Sequence, residues 1–378
     1  MTFSKQINLP TLTKGTVQGI FIGDLHLKVN EKYGTPSKRG IGSRTEDKLE
    51  YLQRAIEFAE RNNVDIVVLA GDIFDKVNPP EKLRVAFLDL LAPLIEKNIH
   101  TYIIIGNHDT DTIYHNLAGE SSFIRRLGEI TKPPYGIPIT IVDTHVLIKN
   151  FLGLDLLFVA WDKDESIKET LKRYNPAHFV FGHFQAVGAT ASGTEFHLSG
   201  GIEKDAFNKY IYTFLGHIHK FQYTDSWVHV GSIAKMDMGE AQDPKGFIHF
   251  KVTHEQFSWD FIEIPDRKFV NLSFTEPAEV DISTGLDVKD AVVKVTCEGS
   301  DAWFIHWDIT SIPSKLYEAG AYRVVHQFVH INDKVSSTSD FVSQRNYTKM
   351  IEDYAETMKR KDLTLLGIEI LNQGAICD

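Results

Sequence analysis

Five segments of the chain share one form: an apolar run, a glycine, then a side chain able to bind a metal ion. They are GIFIGDLH with Asp24 and His26, IVVLAGDIFD with Asp72, YIIIGNHD with Asn107 and His108, HFVFGH with His183, and YTFLGHIH with His217 and His219. A buried strand delivers such a residue at its carboxyl end, where open α/β sheets place their active sites. The glycine allows a sharp turn and close backbone approach. Five of the 16 histidines follow these glycines, a clustering that chance does not account for. Asp24, His26, Asp72, Asn107, His183, His217 and His219 make seven candidate ligands. A single catalytic zinc takes about three. Seven fit two ions that share Asp72 as a bridge. Ions roughly 3.5–4 Å apart suit phosphate-ester hydrolysis, because they clamp the phosphoryl oxygens and acidify a bridging water. Carboxylate, amide and imidazole together favour Mn²⁺, Fe²⁺ or Zn²⁺. His108 directly follows Asn107 and is expected beside the ions. There it stabilises the phosphorane-like transition state or protonates the leaving oxygen. Asp109 is expected to orient the ligands rather than to bind.

The elements that must position these residues are legible as periodicity. Apolar β-rich runs at 17–23, 64–70, 101–105, 156–160, 178–182 and 211–215 alternate with helical patterns. One helix is predicted over 45–62, with Leu49, Leu52, Ile56 and Ala59 on one face and Thr45 as N-cap. Another is predicted over 79–97, opening on Pro79-Pro80 and kinked at Pro93. Strands apolar throughout imply a sheet covered on both faces. Residues 221–264 change to short alternating runs, predicted to be antiparallel strands on the same core. Residues 270–335 form a mixed β-rich segment, and 340–374 a helical one, with apolar residues such as Tyr347, Ile351 and Tyr354 at helical spacing. The division expected is 1–265, 266–338 and 339–378.

Composition bounds the answer. The 378 residues are 43% hydrophobic and 24% charged, which excludes disorder, collagen-like repeats and coiled coil as the main architecture. No apolar run is long enough to span a membrane. The first sixteen residues carry no signal-peptide stretch, which leaves the cytoplasm as the default. Cys297 and Cys377 cannot make a disulfide framework and are expected to be inert. The net charge of −11 lowers the expectation of nucleic-acid binding. Bound cations or a local basic cluster would lift it.

The motif order GD-x-H, GD, GNHD, GH, GH-x-H resembles the calcineurin-like metallophosphoesterases. The resemblance implies an α/β (α+β) fold, a two-sheet sandwich flanked by helices. It also implies a small α/β capping domain and a helical C-terminal tail. Carried over by motif, Asp24, His26, Asp72 and His219 hold one metal. Asp72, Asn107, His183 and His217 hold the other, and His108 is catalytic. After GHIH the stretch VHVGSIAKMDMGEAQDPKGF is similar to the GS…GE…KGF block of SbcD-type DNA-repair nucleases. The wording GDIFD and DPKGF is similar to versions encoded by T-even-like bacteriophages. That narrower likeness covers about residues 17–264. It implies a Mn²⁺-dependent double-strand exonuclease and hairpin or single-strand endonuclease for DNA repair and recombination. An SbcC-like ATPase partner docking on the tail is implied too, and so is a homodimer, for which residues 115–127 are a candidate contact helix. One departure concerns Asp75, where cellular members often carry a histidine implicated in placing DNA for exonuclease cutting. Near the first ligands, Lys28, Lys32, Lys38, Arg39 and Arg44 surround a Gly-rich segment. Of these, Lys38, Arg39 and Arg44 are the candidate DNA contacts. Two other readings stay open: a phosphoesterase for small substrates such as cyclic nucleotides, and a non-catalytic scaffold.

Overall fold

The structure, a computed structural model, describes residues 1–110, 122–131, 137–174, 177–194, 196–274, 287–299 and 311–330. In chain order the strands begin β1 (Thr2–Gln6), β2 (Val17–Ile22), β3 (Ile66–Leu69), β4 (His100–Ile104), β5 (Ile139–Val142), β6 (His145–Phe151), β7 (Leu154–Val159) and β8 (Phe179–Gly182). They continue β9 (Tyr212–Leu215), β10 (Gln222–Tyr223), β11 (Trp227–His229), β12 (Gly246–Val252), β13 (Gln256–Glu263), β14 (Phe269–Phe274), β15 (Val292–Gly299) and β16 (Arg323–His330). The helices are α1 (Ser43–Arg61), α2 (Glu81–Glu96), α3 (Phe123–Thr131), α4 (Asp164–Arg173) and α5 (Ser311–Glu318).

The first sheet has the order β1-β13-β12-β2-β3-β4-β5 and the second β10-β11-β9-β8-β7-β6. In the first, β2, β3, β4 and β5 are mutually parallel, with α1, α2 and α3 lying in turn on the connections between them. In the second, β7, β8 and β9 are parallel. Parallel neighbours end on the same side, so each sheet presents its ligand-bearing loops along one edge. β3, β8 and β9 are buried at every position, as the apolar sequence of β3 and β8 requires, and β9 carries only Thr213 and the Tyr212 hydroxyl as polar groups. The sheets meet through aromatic rings: Phe21 of the first lies 5.9 Å from Phe181 and 5.7 Å from Phe214 of the second. Phe181 and Phe214 stack at 5.0 Å. Truncating one of these to alanine costs about 3–5 kcal/mol.

Three local expectations change. Thr45 is not the cap of α1. The helix starts at Ser43 behind Gly42, and the Thr45 hydroxyl instead donates to the Lys28 carbonyl, tying α1 to the loop after the first ligands. Residues 221–264 are not all antiparallel, because β11 pairs parallel to β9 while β12 and β13 form the antiparallel hairpin. The 270–335 segment contributes β14-β15-β16, three parallel strands with their own apolar cluster of Val293, Val295, Ile312 and Leu316. That sheet joins the rest through an apolar cluster, with Tyr33 and Met238 packed against Phe269 and Val292, and through charge. Arg267 grips Asp47 with two hydrogen bonds at 2.7 and 3.0 Å and lies 3.8 Å over the Tyr322 ring.

By contact density the chain divides into Met1–His330 and Ile331–Asp378. The helical tail expected over 339–378 lies outside the described residues, as does Cys377. Of the candidate contact segment 115–127, the described part is Ser122 and the first residues of α3. Cys297 is buried, and burial pushes its thiol up to about 11, in keeping with an inert residue.

Candidate metal centre

The loops after β2, β3, β4, β8 and β9 converge, and all seven expected ligands converge with them. Asp24, His26 and His219 have donor atoms within 4.8 Å of one another, as do Asp24, Asp72 and His183, and His26, Asp72 and His108. Asp72 lies between the groups: its Oδ2 is 3.4 Å from His26 Nε2 and 3.5 Å from His183 Nε2. Asn107 Oδ1 is 3.1 Å from His183 Nε2 and 3.0 Å from His217 Nδ1. His26 Nε2 and His219 Nε2 face each other at 3.1 Å.

These contacts place electron-rich atoms together. His183 Nδ1 donates to the Ala70 carbonyl at 2.8 Å, so in the neutral ring the lone pair on Nε2 points at the Asn107 and Asp72 oxygens. Asp24 Oδ2 is buried without a hydrogen-bond partner. Such a donor set fits divalent cations, which would bring together acceptors that otherwise repel. The electrostatics agree. Burial pushes the Asp24 carboxyl up, against the pull of His183 and with the push of Asp72. Burial also raises Asp72, but His183 and His26 outweigh it and hold that carboxyl below the usual range. Burial lowers His183, yet Asp72 and Asp24 overcome it and lift the imidazole to about 9. A proton there stands for the positive charge that a metal ion would bring.

The backbone is strained at the candidate ligands themselves. His26, Asp72 and His217 have φ of 42°, 47° and 77°, left-handed conformations that cost about 1–3 kcal/mol each. Among the motif glycines only Gly71 has a positive φ, 112°. Closeness is what Gly106 provides: a Cβ there would lie 2.2 Å from Asp72 Oδ1. Asp109 is buried and accepts from the amides of Gly106 at 3.1 Å and of Ile73 and Phe74 at 3.4 Å. It thereby ties the Asp72 loop to the Asn107 loop, and burial, aided by Asp72, pushes it up to about 7. His108 is exposed, its amide held by Asp72 Oδ1 at 2.8 Å and its ring edge-on to His26 at 4.6 Å.

Sequence reasoning missed two supports. Lys48, fully buried on α1, pairs with Glu31 at 2.8 Å and donates to the His26 carbonyl at 3.0 Å. Its only signal was a lysine among the apolar residues of α1. The other support is Ser232, Glu240 and Lys245, the polar residues of the GS…GE…KGF block. Glu240 Oε1 accepts from His219 Nδ1 at 3.2 Å, and Glu240 Oε2 accepts from Lys245 Nζ at 2.6 Å.

The basic residues separate. Lys38 and Arg39 are exposed, and Arg39 borders a groove between α1 and α2. Arg44 is 1% exposed and does not face solvent. It pairs with Asp47 at 2.8 Å and Asp266 at 2.9 Å and donates to the Lys235 carbonyl at 3.0 Å. Its position on the buried face of α1 makes it a fastener rather than a phosphate contact.

The sequence pattern of the calcineurin-like phosphoesterases matches residues 20–221. Exonuclease subunit 1 of Enterobacteria phage T4 is 25% identical over 360 residues, covering 94% of this chain and 96% of the relative. The SbcD component of the SbcCD nuclease is 24% identical over 244 residues in Staphylococcus saprophyticus and 23% over 274 in Escherichia coli. The matches take in 58% and 63% of this chain, and 63% and 66% of those two relatives. A family pattern running through all five of the loops that carry the candidate ligands, over more than half of the chain, means that this protein belongs to the calcineurin-like phosphoesterases and is a metal-dependent phosphodiesterase.

Proposed function

We propose that the chain is a two-metal DNA nuclease, cutting double-strand ends as an exonuclease and hairpins or single strands as an endonuclease. The observation that carries this reading is the convergence of all seven candidate ligands within a chain that aligns over nearly its whole length with a relative named as an exonuclease subunit. One ion is assigned to Asp24, His26, Asp72 and His219, the other to Asp72, Asn107, His183 and His217. Mn²⁺ is the favoured metal, because the donors mix carboxylate, amide and imidazole.

Bound at these residues, divalent ions supply Lewis-acid charge to the phosphate and acidify water. The protein's own atoms do the rest. Asp72 holds the His108 amide, which keeps that imidazole beside the His26 ring at the open side of the ligands. From there His108 donates its proton to the oxygen that leaves phosphorus as water adds, so one P–O bond forms and one breaks. Lys28, paired with Asp75 at 3.1 Å, and the exposed Lys38 and Arg39 are the cations assigned to the phosphate backbone in this reading. An SbcC-like ATPase docking on the tail and a homodimer complete the proposed complex, which works in the cytoplasm, the host's if the gene is phage-borne.

The test is Mn²⁺-dependent cleavage of linear, hairpin and circular DNA, with a nitrophenyl phosphodiester as the small-substrate control. His108→Ala should retain Mn²⁺ and lose about 10²–10⁴ of the DNA-cutting rate. Hydrolysis of the small ester alone would replace the nuclease reading with a small-substrate phosphoesterase. Truncation at about residue 338 should abolish co-purification with the ATPase while sparing cleavage, and a monomer by light scattering would reject the dimer.

A further inference from the structure

We infer that Glu240 is a positioning residue for the metal centre: it sets the tautomer and ring direction of His219, and Ser232 and Lys245 hold it in place. The assignment deepens the two-metal reading and rests on it. Glu240 is 3% exposed, so its carboxylate is desolvated and must be satisfied within the protein. Oε1 takes the His219 Nδ1 proton at 3.2 Å. Oε2 takes Lys245 Nζ at 2.6 Å and the Met236 amide at 3.2 Å, and lies 3.2 Å from the Ser232 hydroxyl. Lys245, 1% exposed, also donates to the His219 carbonyl at 2.9 Å and to Ser232 Oγ at 2.8 Å. His219 is therefore gripped at its ring by Glu240 and at its backbone by Lys245.

The chemistry follows from which nitrogen carries the proton. With Nδ1–H committed to Glu240, Nε2 presents its lone pair toward His26 Nε2 at 3.1 Å and Asp24 Oδ2 at 3.6 Å. A carboxylate behind an imidazole also makes that ligand more basic. His183 is supported differently, by the neutral Ala70 carbonyl. A buried Glu–Lys pair adds little net stability over apolar residues of the same volume. Its placement against one ligand points to orientation as its work. The support is lopsided, since it serves the Asp24–His26–His219 group and leaves the Asn107–His183–His217 group alone.

Mn²⁺ titration by electron paramagnetic resonance on the full chain reads this without turnover. Wild type should take two ions, and Glu240→Gln should weaken one of them about 10–100-fold while leaving the other unchanged. The double variant Glu240→Gln/Lys245→Met, which strands no buried ammonium, should show the same selective loss. A third reading needs no substitution: nitrogen-detected NMR of the Zn²⁺-loaded wild type should find the His219 proton on Nδ1. Unchanged affinities in a folded variant, equal weakening of both ions, or a proton on Nε2 would each overturn the assignment. A wild type that binds one ion, weakened by Glu240→Gln, would sink the two-metal reading and uphold the Glu240–His219 coupling.

Discussion

His229, at the end of β11, offers a quantitative test of how the loops beneath the metal centre are held. Its ring is fully buried; Nδ1 donates to the Gly216 carbonyl at 2.9 Å and Nε2 accepts from the Ala186 amide at 3.3 Å. One donor and one acceptor define a neutral imidazole. A second proton would bury a charge and turn an N–H against the Ala186 N–H. Burial pushes the group down from 6.5 to about 3, against the Gly216 hydrogen bond and with help from His217 and His183. Because the folded value is the lower one, the unfolded chain takes up the proton first as pH falls. The stability contribution is complete above 6.5 and drains away toward 3. Each pH unit in that window costs about 1.4 kcal/mol, so moving from neutral pH to pH 5 removes about 2 kcal/mol. The assay is urea unfolding of the metal-free protein at pH 7 and pH 5, for wild type and His229→Gln. Glutamine can both donate and accept but does not titrate. Wild type should lose about 2 kcal/mol more than the variant between the two pH values. Losses that agree within about 0.5 kcal/mol would refute a neutral buried His229.

Arg44→Met should cost about 3–5 kcal/mol of unfolding free energy, because it leaves Asp266 buried without its guanidinium; an unaltered melting temperature would contradict the ion-pair role. Neutralising exposed Lys38 and Arg39 together should weaken DNA binding and flatten its dependence on salt by about 2 in the log–log slope, and an unchanged slope would remove both from the interface. Gly106→Ala should disturb Mn²⁺ binding through the clash with Asp72 Oδ1, which equilibrium dialysis would detect; full affinity would mean that the loop yields without cost.

The candidate ligands that the fold brings together were legible because each is announced locally, by an apolar run and a glycine that belong to one strand. The same locality explains the reading of α1 and α2. What failed depended on partners far along the chain. Arg44 read as a loop cation, yet its carboxylate partner Asp266 stands 222 residues away. The parallel pairing of β11 with β9 is decided by sheet order, which the alternation of β11's side chains does not encode. Glu240, Ser232 and Lys245 could be recognised as a pattern but not given work, since only the packed protein places Glu240 against His219, 21 residues earlier.

Sequence alone determined the chemistry available: carboxylates, one amide and imidazoles delivered at strand ends, in an order that admits two divalent ions. Tertiary structure decided which acceptors crowd together, which ring nitrogens keep their lone pairs, and which cations are fasteners instead of contacts. The reason is physical. Strand propensity and turn geometry act over a few residues and are written locally. Desolvation and hydrogen-bond pairing act between any groups that the fold brings within about 3 Å.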